Sequence, residues 1–490
     1  MLHIHEEAAR CLLCKDAPCT KACINGDPAR AIRAIRFDNI KNAGKWIAFC
    51  TDADLERAEQ ACIHYDQPIR IKELLRSVCC DDIATNETGA TDKTDSLAIT
   101  FCGIRCENPF FLASSAVCTN YEMVARAFEM GWAGVFYKTI CKQDIKEVSP
   151  RFDAIKEGTS FAGFRNMEQL SENPYEVDFD ILKRLKQNYP SKVVIASIMG
   201  QFEEEWIELA KMAEFAGCDA VELNFSCPQM RLAGMGSDVG QDHELVTAYT
   251  AYVKQHVKIP VIPKMTPNIT HMKEPALGAY FAGADAISAI NTIKSVTFTP
   301  EAEVSEKKTV SGYSGRAVKP IAQRFILELA QNPIMKGLEL SGIGGIETWR
   351  DALEYIQIGC RNVQVCTAVM QYGYRIIDDL ILGMQTYMAE RGIEHIEDLV
   401  GEQLSSFVLP SELDRETMVL PKIDREKCMG CGRCYISCTD GGHQAITFDE
   451  ETRQPHIVGT KCVGCHLCRL VCPTEAIGSS KRFNKIQNPK

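Results

Sequence analysis

The chain has 490 residues, with 54 Lys and Arg against 65 Asp and Glu, a formal net charge of −11 and 46% hydrophobic residues. The length asks for more than one ordinary domain, and the acidic balance argues against a nucleic-acid surface or an anionic membrane as partner. No apolar run approaches the ~18 residues of a membrane span. The 24 cysteines are far above ordinary usage. The opening residues, MLHIHEE, lack a basic segment leading into an apolar one. A cytoplasmic, reducing setting is therefore expected, and in it so many cysteines suggest metal or cluster ligation rather than disulfides.

In chain order, residues 1–80 hold Cys11-x2-Cys14-x4-Cys19-x3-Cys23, followed by Cys50, Cys62, Cys79 and Cys80 on a polar, helix-prone background. This reads as a small helical iron–sulfur domain, with a zinc site as the alternative. Residues 81–96 (DDIATNETGATDKTDS) are polar and without apolar period, as a linker is.

From 97 to 401, apolar strand-like runs recur at Pro109–Ser114, Ala133–Lys138, Val193–Met199, Asp219–Asn224, Pro260–Met265, Asp285–Asn291, Gly337–Gly342 and Asn362–Thr367. Amphipathic stretches such as Glu203–Ala216 and Glu244–Val257 separate them. Eight strand–helix units over ~300 residues predict an α/β fold, a (β/α)8 TIM barrel, with a doubly wound open sheet as the alternative.

A barrel of this type works at the carboxyl ends of its strands. Ser114, Lys138, Thr139, Asn224, Ser226, Cys227, Lys264, Asn291, Thr292, Gly344, Gly345, Cys366 and Thr367 all fall there. In Glu222–Pro228 (ELNFSCP) an amide, a hydroxyl and a thiol stand where the fourth strand breaks, suited to a substrate held flat and given a proton. A buried packing role for Cys227 is the plainer alternative. The following Gly234–Gly240 segment is glycine-rich enough to move as a lid. Lys138 and Lys264 sit inside apolar strands, where an unpaired lysine is rarely tolerated, and an anionic cofactor would account for both. Gly344-Gly345 and Cys366-Thr367 follow the last two strands, where barrels commonly bind phosphate. Together these features point to FMN.

Residues 402–420 read as a second linker and 421–490 as a ferredoxin-like domain with its tail. There, Cys428-x2-Cys431-x2-Cys434-x3-Cys438 recurs as Cys462-x2-Cys465-x2-Cys468-x3-Cys472-Pro473. This is the two-cluster ferredoxin spacing, in which each fourth cysteine serves the other cluster. Cys428, Cys431, Cys434 and Cys472 are assigned to one [4Fe–4S] cluster, and Cys462, Cys465, Cys468 and Cys438 to the second. No dinucleotide-binding glycine fingerprint is present at the required spacing. Clusters pass single electrons and FMN gathers two, so the layout is that of a terminal reductase fed by a separate donor.

Phe136–Thr139 (FYKT), Phe164–Glu168 (FRNME), Glu222–Pro228, Lys264–Asn268 (KMTPN), Asn291-Thr292, Val310–Gly315 (VSGYSG) and the double cysteine run resemble dihydropyrimidine dehydrogenase from Leu97 to Lys481. The layout is most similar to the bacterial catalytic subunit that pairs with a separate FAD- and NAD(P)H-binding subunit, and the barrel to the wider dihydroorotate dehydrogenase family. The resemblance implies reversible reduction of uracil or thymine. Asn166, Asn224, Ser226, Asn291 and Thr292 would bind the pyrimidine base. Cys227 would protonate C5, as a neutral thiol with a free pKa near ~8.5 can. Ser114, Lys138, Thr139, Lys264, Gly315, Gly344, Gly345, Cys366 and Thr367 would hold FMN. Cys11, Cys14, Cys19 and Cys23 match the first cysteine run of the full-length enzyme's N-terminal domain (RCLLCKDAPC), with Cys62 further on. One further [4Fe–4S] cluster on Cys11, Cys14, Cys19 and Cys62 is implied there, and a homodimer or heterotetramer. A dihydroorotate dehydrogenase-like flavoenzyme and a non-catalytic iron–sulfur electron-transfer adaptor remain the two other readings.

Overall fold

The computed structural model describes residues 4–64, 66–78, 96–228, 230, 234–297, 307 and 309–485. The expected linker at 81–96 lies outside them except for Ser96, as do Cys79 and Cys80. Residues 1–405 form one compact unit and 406–490 a second.

The predicted barrel is present. Its strands are β1 (Phe110–Leu112), β2 (Gly134–Phe136), β3 (Val193–Ile198), β4 (Ala220–Asn224), β5 (Val261–Lys264), β6 (Ala286–Ala289), β7 (Glu339–Ile343) and β8 (Cys360–Val365). Each pairs in parallel with its sequence neighbours, and β8 returns to β1 through Val365 opposite Leu112, closing the sheet. The strands read as mainly apolar runs because both faces are covered, by the barrel interior and by the helix layer. Phe110, Phe111, Phe136, Ile195, Val221, Leu223, Val261, Ile262, Ile287 and Val363 are fully buried. The helices start where their residues dictate. Asn120 accepts from the Met123 amide at 2.9 Å, and Thr348 and Asp351 form a reciprocal capping box, meeting orphan N–H groups of the first turn.

The sequence pattern did not show a four-stranded antiparallel sheet built from the loops after β2 and β6. The hairpin Phe152–Glu157/Ser160–Asn166 pairs with Ser311–Ser314, which pairs with Ile293–Ser295. Gly312 stands opposite Asn166, so this sheet brings Asn166 to the carboxyl ends of the barrel strands.

The N-terminal segment is helical, as expected, with short helices from Ile4–Arg10 to Ile71–Val78. Its own core holds Ile32, Ile35, Leu55, Leu74 and Leu75. It docks on the barrel's last helices: Arg33 meets Asp379 at 2.8 Å, Asn39 donates to the Asp379 carbonyl at 2.7 Å, and Trp349 Nε1 donates to the Asp38 carbonyl at 3.0 Å. Burial pushes the Asp379 carboxyl up to about 6, against the pull of Arg33.

The reading of 402–420 as a linker needs correction. Short 3-10 turns occupy Leu404–Ser406 and Pro410–Glu412, and Thr417–Met418 pairs with Phe483–Asn484, so the C-terminal fold begins before residue 421. That unit also pairs Pro421–Ile423 with Ile477–Ser479 and contains the hairpin Ile446–Asp449/Gln454–Ile457.

Candidate active site

A cavity of about 1050 Å³ opens at the carboxyl ends of the barrel strands. Its wall includes Ser114, Lys138, Thr139, Asn166, Asn224, Cys227, Lys264, Asn291, Thr292, Gly315, Gly344, Gly345, Cys366 and Thr367. Of the expected flavin and substrate residues, Ser226 alone is not on that wall.

The floor is a connected polar bed. Thr139 Oγ1 accepts from Asn224 Nδ2 at 2.8 Å and lies 3.0 Å from both Ser114 Oγ and Ser197 Oγ. Ser197 and Ser288 each donate to Glu222 at 2.8 Å, and Lys264 Nζ stands 3.6 Å from the same carboxylate. Lys138 Nζ meets Glu168 at 3.1 Å, and Arg151 holds the other oxygen of Glu168. Both buried lysines therefore have protein carboxylate partners. An anionic cofactor would account for both, as expected from the sequence, but Glu222 and Glu168 already give each a charge partner.

One end of the cavity is lined by amides, a hydroxyl and a thiol. Ser226 turns inward and is fully buried. Its hydroxyl donates to Asn224 Oδ1 at 2.7 Å and accepts from Asn291 Nδ2 at 2.8 Å, while its N–H also donates to Asn224 Oδ1. It is a positioning residue behind the two amides rather than a wall residue. Asn291 Oδ1 also accepts from the Thr292 amide at 2.7 Å, which fixes the orientation of that side chain. Cys227 is 6% exposed at the cavity edge. The segment after it is less free than a glycine-rich lid would be. The Ser237 amide donates to the Cys227 carbonyl at 2.9 Å, Ser237–Gly240 is a helical turn, and Met235, Ser237 and Val239 are buried. A Cβ on Gly240 would lie 1.9 Å from the Phe225 carbonyl oxygen, so that glycine serves close packing rather than a hinge.

Another part of the wall is backbone-lined. Gly315, Gly344 and Gly345 have φ of 91°, 132° and 69°, a region open to glycine. A Cβ on Gly345 would meet the Gly315 carbonyl oxygen at 3.0 Å and Lys319 Cβ at 2.8 Å. Thr367 Oγ1 lies 2.9 Å from Ser314 Oγ, joining the loop after β8 to the cap sheet. Glu347 also lines the cavity. Burial raises its carboxyl to about 7, against the pull of Arg316 and with Asp351 adding to the rise. Burial also raises the Cys366 thiol. Gln364 donates to Ser341 at 2.8 Å, but its buried Oε1 has no partner and lines the cavity. A backbone cradle without Cβ atoms, a wall with two lysines and an unsatisfied amide oxygen together fit an elongated phosphorylated cofactor.

The cysteines gather around three separate hollows. Cys428, Cys431, Cys434 and Cys472 surround one of about 330 Å³, with Ile423, Ala476 and Ile477. Cys438, Cys462, Cys465 and Cys468 surround another of about 350 Å³, with Ala445 and Ile446. Each set has three cysteines from one run and the fourth from the other. In the N-terminal segment Cys11, Cys14, Cys19 and Cys62 line a hollow of about 390 Å³ with Ile32, Ile69 and Ile71. Backbone N–H groups of Ala476, Ala445 and Ile69 point to the sulfurs of Cys472, Cys438 and Cys62 at 3.3–3.4 Å. An apolar hollow with four thiols and N–H donors to sulfur suits an iron–sulfur cluster. Cys23 is not in this arrangement. Its sulfur lies 3.5 Å from that of Cys50, which corrects its expected place among the ligands.

Residues 96–388 match the family model described as dihydroorotate dehydrogenase, and 421–478 the 4Fe-4S dicluster domain. The chain is 51% identical over 391 residues to the NAD-dependent dihydropyrimidine dehydrogenase subunit PreA of Escherichia coli K12, covering 78% of this chain and 95% of that protein. It is 36% identical to the chloroplastic dihydropyrimidine dehydrogenase (NADP(+)) of Arabidopsis thaliana, over 66% of this chain and 81% of the relative. It is 35% identical to the catalytic subunit of dihydroorotate dehydrogenase B (NAD(+)) of Pyrococcus abyssi, over 62% of this chain and 98% of that one. Among the described residues no helix is long and apolar enough to cross a membrane. The closed parallel barrel with its polar mouth, followed in the chain by a dicluster domain, belongs to the dihydroorotate dehydrogenase family of oxidoreductases.

Proposed function

We propose that this chain is the catalytic subunit of a dihydropyrimidine dehydrogenase that reversibly reduces uracil or thymine to the 5,6-dihydro base. The observation carrying this reading is the set of neutral groups at one end of the cavity. Asn166, Asn224, Asn291 and Thr292 offer donors and acceptors, and the Cys227 thiol stands beside them. A planar ring bearing alternating carbonyl and N–H groups asks for such partners. A dihydroorotate carboxylate asks for a cation, and the two wall lysines are each already faced by a carboxylate.

Ser114, Lys138, Thr139, Lys264, Gly315, Gly344, Gly345, Cys366 and Thr367 would hold FMN, which would supply hydride chemistry at C6. The chain's own residues do the rest. Asn224 and Asn291, set by Ser226, orient the ring, and Cys227 gives its thiol proton to C5 in reduction and takes it back in oxidation. The cysteines of the two C-terminal hollows would hold two [4Fe–4S] clusters, and Cys11, Cys14, Cys19 and Cys62 a third, which would supply one-electron transfer from a separate FAD- and NAD(P)H-binding subunit. The assembly is then a homodimer or, with that subunit, a heterotetramer. The test compares turnover of dihydrouracil and dihydroorotate with an artificial electron acceptor. Dihydrouracil should be oxidised at least tenfold faster by kcat/KM; preference for dihydroorotate overturns the proposal.

A further inference from the structure

Cys23 and Cys50 are used by none of the three hollows. Their sulfurs are in contact at 3.5 Å, from positions 27 residues apart in the chain. The contact is built into the local fold. Cys23 caps the C-terminal end of the helix Pro18–Ala22 in an extended conformation. Cys50 follows the 3-10 turn Gly44–Ile47 and directly precedes Thr51, the N-cap of the helix Asp52–Gln60. Gly26 makes room for the pair, since a Cβ there would lie 2.4 Å from Cys50 Sγ. Asn25 ties the two segments together by donating to Asp54 at 3.0 Å.

The two segments also carry the hollow's ligand candidates. Cys19 is on the helix that Cys23 ends, and Cys62 follows the helix that Cys50 precedes. A bond between Cys23 and Cys50 would therefore hold the two sides of that hollow in register whatever fills it. Closing it requires the sulfurs to move from 3.5 Å to the ~2.05 Å of a disulfide, a small shift for two side chains at element ends.

We propose that Cys23 and Cys50 form a reversible disulfide, closed by a low-molecular-weight disulfide and opened by a thiol, that staples the N-terminal domain. The exchange balances in two steps. One protein sulfur attacks the small disulfide and releases one thiol; the other then displaces the second thiol as the protein disulfide forms. Two protein thiols are oxidised and one small disulfide is reduced to two thiols. Ile24 and Phe49, next to the two cysteines in sequence, are 77% and 84% exposed, so the pair lies just under the surface. Burial pushes the Cys50 thiol up, so the exchange is slow and is followed over hours.

The full chain, purified without oxygen and with its iron in place, is exposed to glutathione disulfide, alkylated in acid and digested without reduction. The expected product joins the Cys23 and Cys50 peptides and is lighter than their sum by two hydrogens. It disappears on adding dithiothreitol and in both Cys23→Ser and Cys50→Ser, with iron content unchanged in either variant. After iron is removed by a chelator, proteolysis within residues 4–78 should be at least threefold slower in the oxidised chain than in Cys50→Ser. Three results would overturn the proposal: both cysteines recovered alkylated or as glutathione adducts, loss of iron in either serine variant, or equal proteolysis of the two forms.

Discussion

Ser226→Ala tests how the substrate end of the cavity is held. Ser226 is fully buried and off the wall, yet its hydroxyl donates a hydrogen bond to Asn224 Oδ1 at 2.7 Å and accepts one from Asn291 Nδ2 at 2.8 Å. Alanine fits the space but removes both bonds. Asn224 keeps the Ser226 N–H at 3.1 Å, whereas Asn291 loses the partner of its amide nitrogen. Leaving such a group unmatched costs roughly 1.4–3 kcal/mol, which becomes about 10–150-fold in kcat/KM if the amides are aligned in the transition state. The assay is steady-state uracil reduction with a reconstituted donor, alongside bound flavin and the melting temperature. The loss should fall on kcat/KM with flavin content unchanged. A variant within twofold of the parent would refute the claim that Ser226 sets these amides.

The remaining predictions address the cofactor cradle and the clusters. Gly345→Ala places a methyl 3.0 Å from the Gly315 carbonyl at a φ of 69°, and flavin retention should fall about tenfold in FMN titrations; unchanged binding would show that the cradle lies elsewhere. Glu347 has its folded value raised to about 7 from 4.5, so the folded, flavin-free chain keeps a proton that the unfolded chain has lost. Its contribution is thus most favourable below the unfolded value, falls as pH rises through that window, and above it is a penalty of roughly 1–3 kcal/mol. Glu347→Gln should raise the melting temperature of the flavin-free chain more near pH 8 than near pH 5; an equal gain contradicts the assignment. Cys472→Ser should lose the cluster it shares with Cys428, Cys431 and Cys434, about four irons per chain, and spare the other. Unchanged iron would sink the crossed ligand sets.

The barrel was legible because most strands are short, mainly apolar runs bounded by polar or glycine residues, recurring at regular spacing. The expected Val193–Met199 and observed Val193–Ile198 differ by one residue. The crossed cysteine sets were legible from spacing, since two runs of one motif constrain each other. The cap sheet was not, because Ser160–Asn166 and Ser311–Ser314 pair across some 150 positions with mixed polarity and no turn to mark them. The partners of the buried lysines were not legible for a related reason: periodicity shows that Lys264 lies within a strand, but not that Glu222 from the adjacent strand faces it. Ser226 was counted among the base-binding residues on the resemblance. Here two flanking amides satisfy it inside, and only the coordinates show the direction of that one side chain. Cys23 was grouped by motif spacing with the ligands, while the helix end it caps points it to Cys50 instead.

Protonation at C5 is the central chemical claim, and Cys227→Ala measures it most directly. Cys227 lines the cavity and is not among the residues proposed to hold flavin or iron, so its removal should leave flavin and iron content at parent levels. A positioned general acid is worth ~10²–10⁴ in rate, and uracil reduction by a reconstituted system should fall by that factor. If Cys227→Ala, with flavin and iron intact, reduces uracil within a few-fold of the parent, Cys227 is a packed thiol and the account of proton delivery is wrong.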